Sequence, residues 1–152
     1  MTQCGPETAT DGDDLRVTLL RHAQEAAARA TAKLGGPLSS DNLGAFLADS
    51  DCLKYAVEIV YDASALEPHQ FAQPVIEGRR CALYVHPHYA DRPECLQLIV
   101  AYMAGAINYG GAVTIELCEE YGAALMHLDR AAFYGAVCAV ADQLPLDLVL
   151  SR

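Results

Sequence analysis

The chain has 152 residues and a mass of 16.3 kDa, with 53% hydrophobic and 20% charged residues, which suits one domain with a well-buried core and no need of disulfide staples. Ten Lys and Arg against twenty Asp and Glu give a formal charge of −10 and a pI near 4.7. Such a field repels phosphate backbones and anionic headgroups at a distance, which argues against nucleic acid or a membrane surface as partner.

Residues 1–10, with Gly5, Pro6 and no apolar period, read as a flexible N-terminus ahead of a single globular domain over 11–152. From Asp13 or Asp14, Leu15, Leu19, Ala23, Ala26, Ala27, Ala30 and Leu34 recur at three and four until Gly35-Gly36-Pro37, predicting an amphipathic helix with an acidic start and a glycine stop. Ser39-Ser40-Asp41 can cap a short second helix carrying Leu43, Phe46 and Leu47. Lys54–Tyr61 then alternates, with Tyr55, Val57, Ile59 and Tyr61 on one side, which suits a half-buried strand, a helix being the rival reading.

Residues 62–74, with Pro68 and Pro74, read as a loop, and 75–85 as strand, turn at Glu77-Gly78, strand. A small antiparallel sheet over about 54–86 follows. Asp91 can cap a helix with Pro93 and Glu94 in its first turn and Gly110-Gly111 at its end. Its apolar stretch Cys95–Ile107 falls short of the ~20 residues a membrane span requires and reads as a core helix. Thr114 starts another helix through about His127, Asp129 caps a last one to Leu144, and Leu146–Leu150 alternates like an edge strand. The fold class is therefore α+β: an N-terminal helix pair, the small antiparallel sheet, and a mainly helical C-terminal half packed on it.

Two features predict tight helix packing. Gly122 and Gly135 fall inside predicted helices, where glycine costs about 1 kcal/mol against alanine, so each needs a close backbone approach in return. Ala101 and Gly105 fit the same seam. The excess of apolar residues, and the nearly all-round hydrophobicity of 93–109, point to a second buried surface, most simply a homodimer interface.

The chemistry concentrates on His86-Pro87-His88, at the end of the apolar run Cys81–Val85. Residues two apart on a strand share a face, so His86 and His88 can present imidazoles to one divalent transition metal such as zinc, with His69 as a third ligand. Glu67 is then the candidate general base of an enzyme acting on a small molecule. Asp62, Asp91 and Glu94 are further donors near the same hairpin end. The alternative is that both histidines only satisfy backbone groups and cap the following turn, leaving a non-catalytic homodimeric binding or assembly module. Glu116, Glu119 and Glu120 read as a solvated helix face, and Asn108 and Tyr109 as a helix end. The six cysteines, Cys4, Cys52, Cys81, Cys95, Cys118 and Cys138, form no CxxC pair, and the N-terminus shows no basic-then-apolar leader, the pattern of a cytoplasmic protein. No Walker loop, GxGxxG or HExxH occurs.

Overall fold

The structure, a computed structural model, describes residues 4–144, with side chains described from Asp14 onward. It is α+β. Helix α1 spans Cys4–Leu34, α2 Leu43–Ala48, α3 Pro93–Tyr109, α4 Ile115–Met126 and α5 Arg130–Ala141; strands β1 (Ala56–Tyr61), β2 (Ala72–Glu77) and β3 (Arg80–Val85) form one sheet. The helix α1 begins at Cys4, earlier than the acidic cluster at Asp13 suggested. The alternating segment 146–150, read as an edge strand, lies outside the described residues.

The sheet order is β1-β3-β2. β2 and β3 form the expected antiparallel hairpin, but β1 pairs with β3 in parallel, so the sheet is mixed and not wholly antiparallel. Burial explains the order: Cys81, Leu83 and Val85 are 1%, 0% and 0% exposed, and the strand with the most deeply buried face takes the centre. Pro74, which lacks an N–H, sits on the edge strand β2, where its missing donor faces no ladder partner. The hairpin turns at Gly78-Arg79, one residue later than Glu77-Gly78. Gly78 has φ +63° and Arg79 a negative φ, as a two-residue Gly-X hairpin requires.

Local signals fix most helix ends. Thr114 accepts the Leu117 N–H at 3.0 Å to start α4, and Asp129 accepts the Ala132 N–H at 2.7 Å to start α5. At α3 the cap position is Arg92, not Asp91, and no side chain caps it; Pro93 in the first turn sets the start. Helix α4 ends at His127, held in the left-handed region at φ 56°.

Helix α3 is the centre of the molecule, packed against β2, α4 and α5. Together with the 3-10 turn at Gly110–Ala112 it is long and apolar enough, by length and composition alone, to pass for a membrane span. Here Cys95, Ile99, Val100, Ala101, Ala104, Gly105 and Ile107 are buried within the domain, as in a core helix. The small-residue seam between α3 and α4 is real. A Cβ at Gly122 would overlap the Phe133 ring and lie 3.1 Å from the Ala101 carbonyl oxygen, and one at Gly105 would lie 3.1 Å from the Cys118 Cα. Gly135 differs: a Cβ there meets nothing within 4 Å.

The α4 carboxylates are not simply solvated. Arg130 donates to Glu119 Oε1 at 2.8 Å, and Arg16 donates to Glu116 Oε1 at 2.7 Å. Arg130 also lies 3.4 Å from Glu116 and 3.6 Å from Glu120. These pairs tie α1, α4 and α5 together, and Glu119 is only 7% exposed.

Candidate functional site

β3 ends at Val85, and Pro87–Tyr89 form a 3-10 turn whose N-cap is His86. The His86 Nδ1 accepts the backbone N–H of His88 at 3.1 Å, so the neutral ring carries its proton on Nε2. One nitrogen is spent on the backbone and the other is a donor, which leaves no lone pair for a metal. Burial, and secondarily the nearby His88, lower the His86 pKa, favouring this neutral form.

His88 turns the other way. Its ring stands edge-on to Tyr89, with centroids 5.0 Å apart, and its Nε2 is buried without a hydrogen-bond partner among the described residues. Tyr89 itself is fully buried and donates to the Val140 carbonyl at 2.6 Å; burial raises its pKa to about 12. The His-Pro-His segment thus works as a capped corner that drives Tyr89 into the core and anchors the hairpin end on α5.

Glu67 and His69 do not complete a centre. Both are exposed on the loop before β2, where a turn is closed by Gln70: its N–H donates to the Glu67 carbonyl at 3.0 Å and its side-chain oxygen accepts the Glu67 N–H at 3.1 Å. Asp62 is occupied as well, accepting the Ser64 N–H at 2.9 Å and the Ser64 hydroxyl at 2.7 Å. Among the described residues no three His, Cys, Asp or Glu side chains gather closely enough to hold a metal ion. The structure thus does not gather His86, His88 and His69 into a three-ligand metal set with Glu67 beside it.

No two of the described cysteines pair with each other. Cys52, Cys81, Cys95, Cys118 and Cys138 are free, and burial raises the Cys52, Cys81 and Cys118 thiols, the last to about 11, away from the reactive thiolate.

The surface feature that stands out is the outer face of α5. Phe133, Val137 and Val140 point inward and are buried, while Ala131, Ala132, Tyr134, Gly135 and Ala139 are exposed. Tyr134 is 54% exposed, and Leu128, just before the helix, 39%. No charged residue lies between Arg130 and Asp142, whereas a solvent-facing helix ordinarily carries charge on that side. Comparison with family models, with curated proteins and with solved structures returns no match for this chain.

Proposed function

We propose that this protein is a non-catalytic binding and assembly module that works as a symmetric pair, with the outer face of α5 as its contact. The observation that carries this is the uncharged, exposed stripe of Ala131, Tyr134, Gly135 and Ala139, centred on a helix glycine with open space above it. Small residues allow helix axes to approach within the 8–10 Å of tight packing.

A second copy is the occupant that fits. Two α5 helices crossing antiparallel present no charge to each other along the stripe, and the Arg130 end of one copy meets the Asp142 end of the other. The opposed helix dipoles add to this match. By symmetry each copy places its Tyr134 on the small residues of the other. The free thiols fit a reducing, cytoplasmic setting.

Light scattering coupled to size exclusion tests the reading. The wild-type chain is expected to run as a dimer, and Tyr134→Glu as a monomer with unchanged circular dichroism. A monomeric wild type across the accessible concentration range, or a Tyr134→Glu variant that stays dimeric, overturns it.

A further inference from the structure

We infer that the groove between α1 and the C-terminal end of α3 is a binding site for a small dianion, a phosphomonoester of roughly sugar size, held by Arg29, Lys54 and His22. Two adjoining cavities of about 390 and 210 Å³ share Arg29, Asp51 and Cys52 as lining. His22, Arg29 and Lys33 follow one another along one face of α1 at spacings of seven and four, and Lys54 reaches in from the loop before β1. In a chain with ten Lys and Arg and a net charge of −10, three of its cations line one groove.

Their partners decide which of them are available. Lys33 is matched by Asp49 and Asp51, both at 2.9 Å. Arg29 is exposed and makes no hydrogen bond or ion pair with a described residue; its charge is felt at the Tyr109 and Tyr121 phenols. The Lys54 ammonium lies over the Tyr55 ring at 5.7 Å, and no carboxylate pairs with it among the described residues. Three cations against the carboxylates of Asp49 and Asp51 leave the groove net positive by one, with Arg29 and Lys54 the two cations that no described carboxylate pairs with.

The floor is built to hold this arrangement. Asn108 donates to the Cys52 carbonyl at 3.0 Å and to the Tyr121 hydroxyl at 3.1 Å, while its Oδ1 accepts the Lys54 N–H at 2.7 Å. One amide thus pins the lysine-bearing loop to α3. Tyr109 lies 2.6 Å from His22 Nδ1. Burial keeps that phenol protonated, and the contact fixes the His22 ring at the wall of the smaller cavity. Arg29, Lys54 and His22 line the same 210 Å³ cavity, and a planar guanidinium fork with an ammonium and an imidazole beside it suits an oxyanion. The larger cavity beside Ala30 leaves room for the body of the ligand.

The test uses the full chain, titrated with inorganic phosphate and with glucose 6-phosphate, and read by isothermal calorimetry and by the His22 and Arg29 side-chain NMR signals. Saturable binding is expected, tighter for the sugar phosphate, with glucose alone silent. Arg29→Gln and Lys54→Gln, both at exposed positions, are each expected to weaken binding about tenfold or more, as loss of a charge-assisted bond implies. Absence of saturable binding by either probe, or equal affinity in the two variants and the wild type, overturns the inference. Binding at this groove is independent of the α5 contact, so Tyr134→Glu is expected to bind phosphate like the wild type.

Discussion

Gly122 and Gly135 sit in neighbouring helices, yet alanine at the two positions should act with opposite sign. In an exposed helix the change relieves about 1 kcal/mol. At Gly122 the new methyl overlaps Phe133, a ring that is 0% exposed and stacked on Tyr102 at 6.5 Å, and it crowds the Ala101 carbonyl, which is backbone and cannot swing away. Overpacking of this kind costs about 1–3 kcal/mol, and more at so close an overlap than at a mild one, so after the helix gain Gly122→Ala is expected to destabilise by up to about 2 kcal/mol net, lowering Tm by up to roughly 6 °C in a chain of this size. Gly135→Ala meets open space and should raise the Tm of the dilute monomer by roughly 2–4 °C. In the pair that space is the partner's, so the same methyl should weaken association and shrink the rise of Tm with protein concentration that a dimer shows. Melts at low and high concentration separate the two effects. A fall in Tm for Gly135→Ala in dilute solution refutes the claim that this face is open. Equal concentration dependence in the variant and the wild type refutes its role in pairing.

Further outcomes follow from single contacts. His127→Gly relieves a left-handed backbone that only glycine adopts freely, and should stabilise by about 1 kcal/mol in urea unfolding; a loss of stability would mean that the His127 side chain contributes more than its strain. Asn108→Ala strips the Lys54 N–H of its acceptor and removes one of the two donors on the Cys52 carbonyl, an expected cost of about 2–3 kcal/mol with an unchanged m-value. Because His86 titrates below the usual 6.5 in the fold, the unfolded chain binds the proton first. Stability should then fall as pH drops through 6.5 and level off once the folded His86 is itself protonated. His86→Asn keeps an acceptor for the His88 N–H and should flatten that slope; identical slopes in urea titrations across this range would contradict the assignment. Finally, each copy carries −10, so pairing through an uncharged stripe should strengthen with added salt as the mutual repulsion is screened; dissociation by salt would point to an ionic interface instead.

What the sequence made legible was local. The starts of α4 and α5 lie one residue beyond Thr114 and Asp129 because each cap is a bond between a side chain and an N–H three residues on. The α3 ends are marked by backbone preference instead: Pro93 has the fixed φ of a first turn, and Gly110 takes a positive φ of 53° at the stop. Strand order was not legible, since it depends on β3 being the most buried strand, a property of what packs against it. The parallel β1–β3 pairing leaves no mark on the alternation of 54–61. The α4 carboxylates show the same limit: their i, i+3 and i, i+4 spacing looks like a solvated face until Arg16 and Arg130 arrive from other helices.

The candidate sites divide along that line too. The His-Pro-His spacing was visible, but whether a ring nitrogen is free depends on one backbone N–H, and the capping alternative describes His86 better than the metal reading does. His22 and Tyr109 are 87 positions apart, so no motif joins them; the available signal was only that cations recur along one face of the first helix. For α5 the difficulty is of another kind. Ala131–Ala141 is apolar all round, so its periodicity carries no information about which side faces in. Once Phe133, Val137 and Val140 are seen to fill the core, the remaining side has to be explained, because it carries none of the charge that solvent-facing α1 places at Arg21, Glu25 and Arg29. A helix uncharged on both faces suits cover on both, and the proposed second copy would cover the outer one with no charge left unmatched.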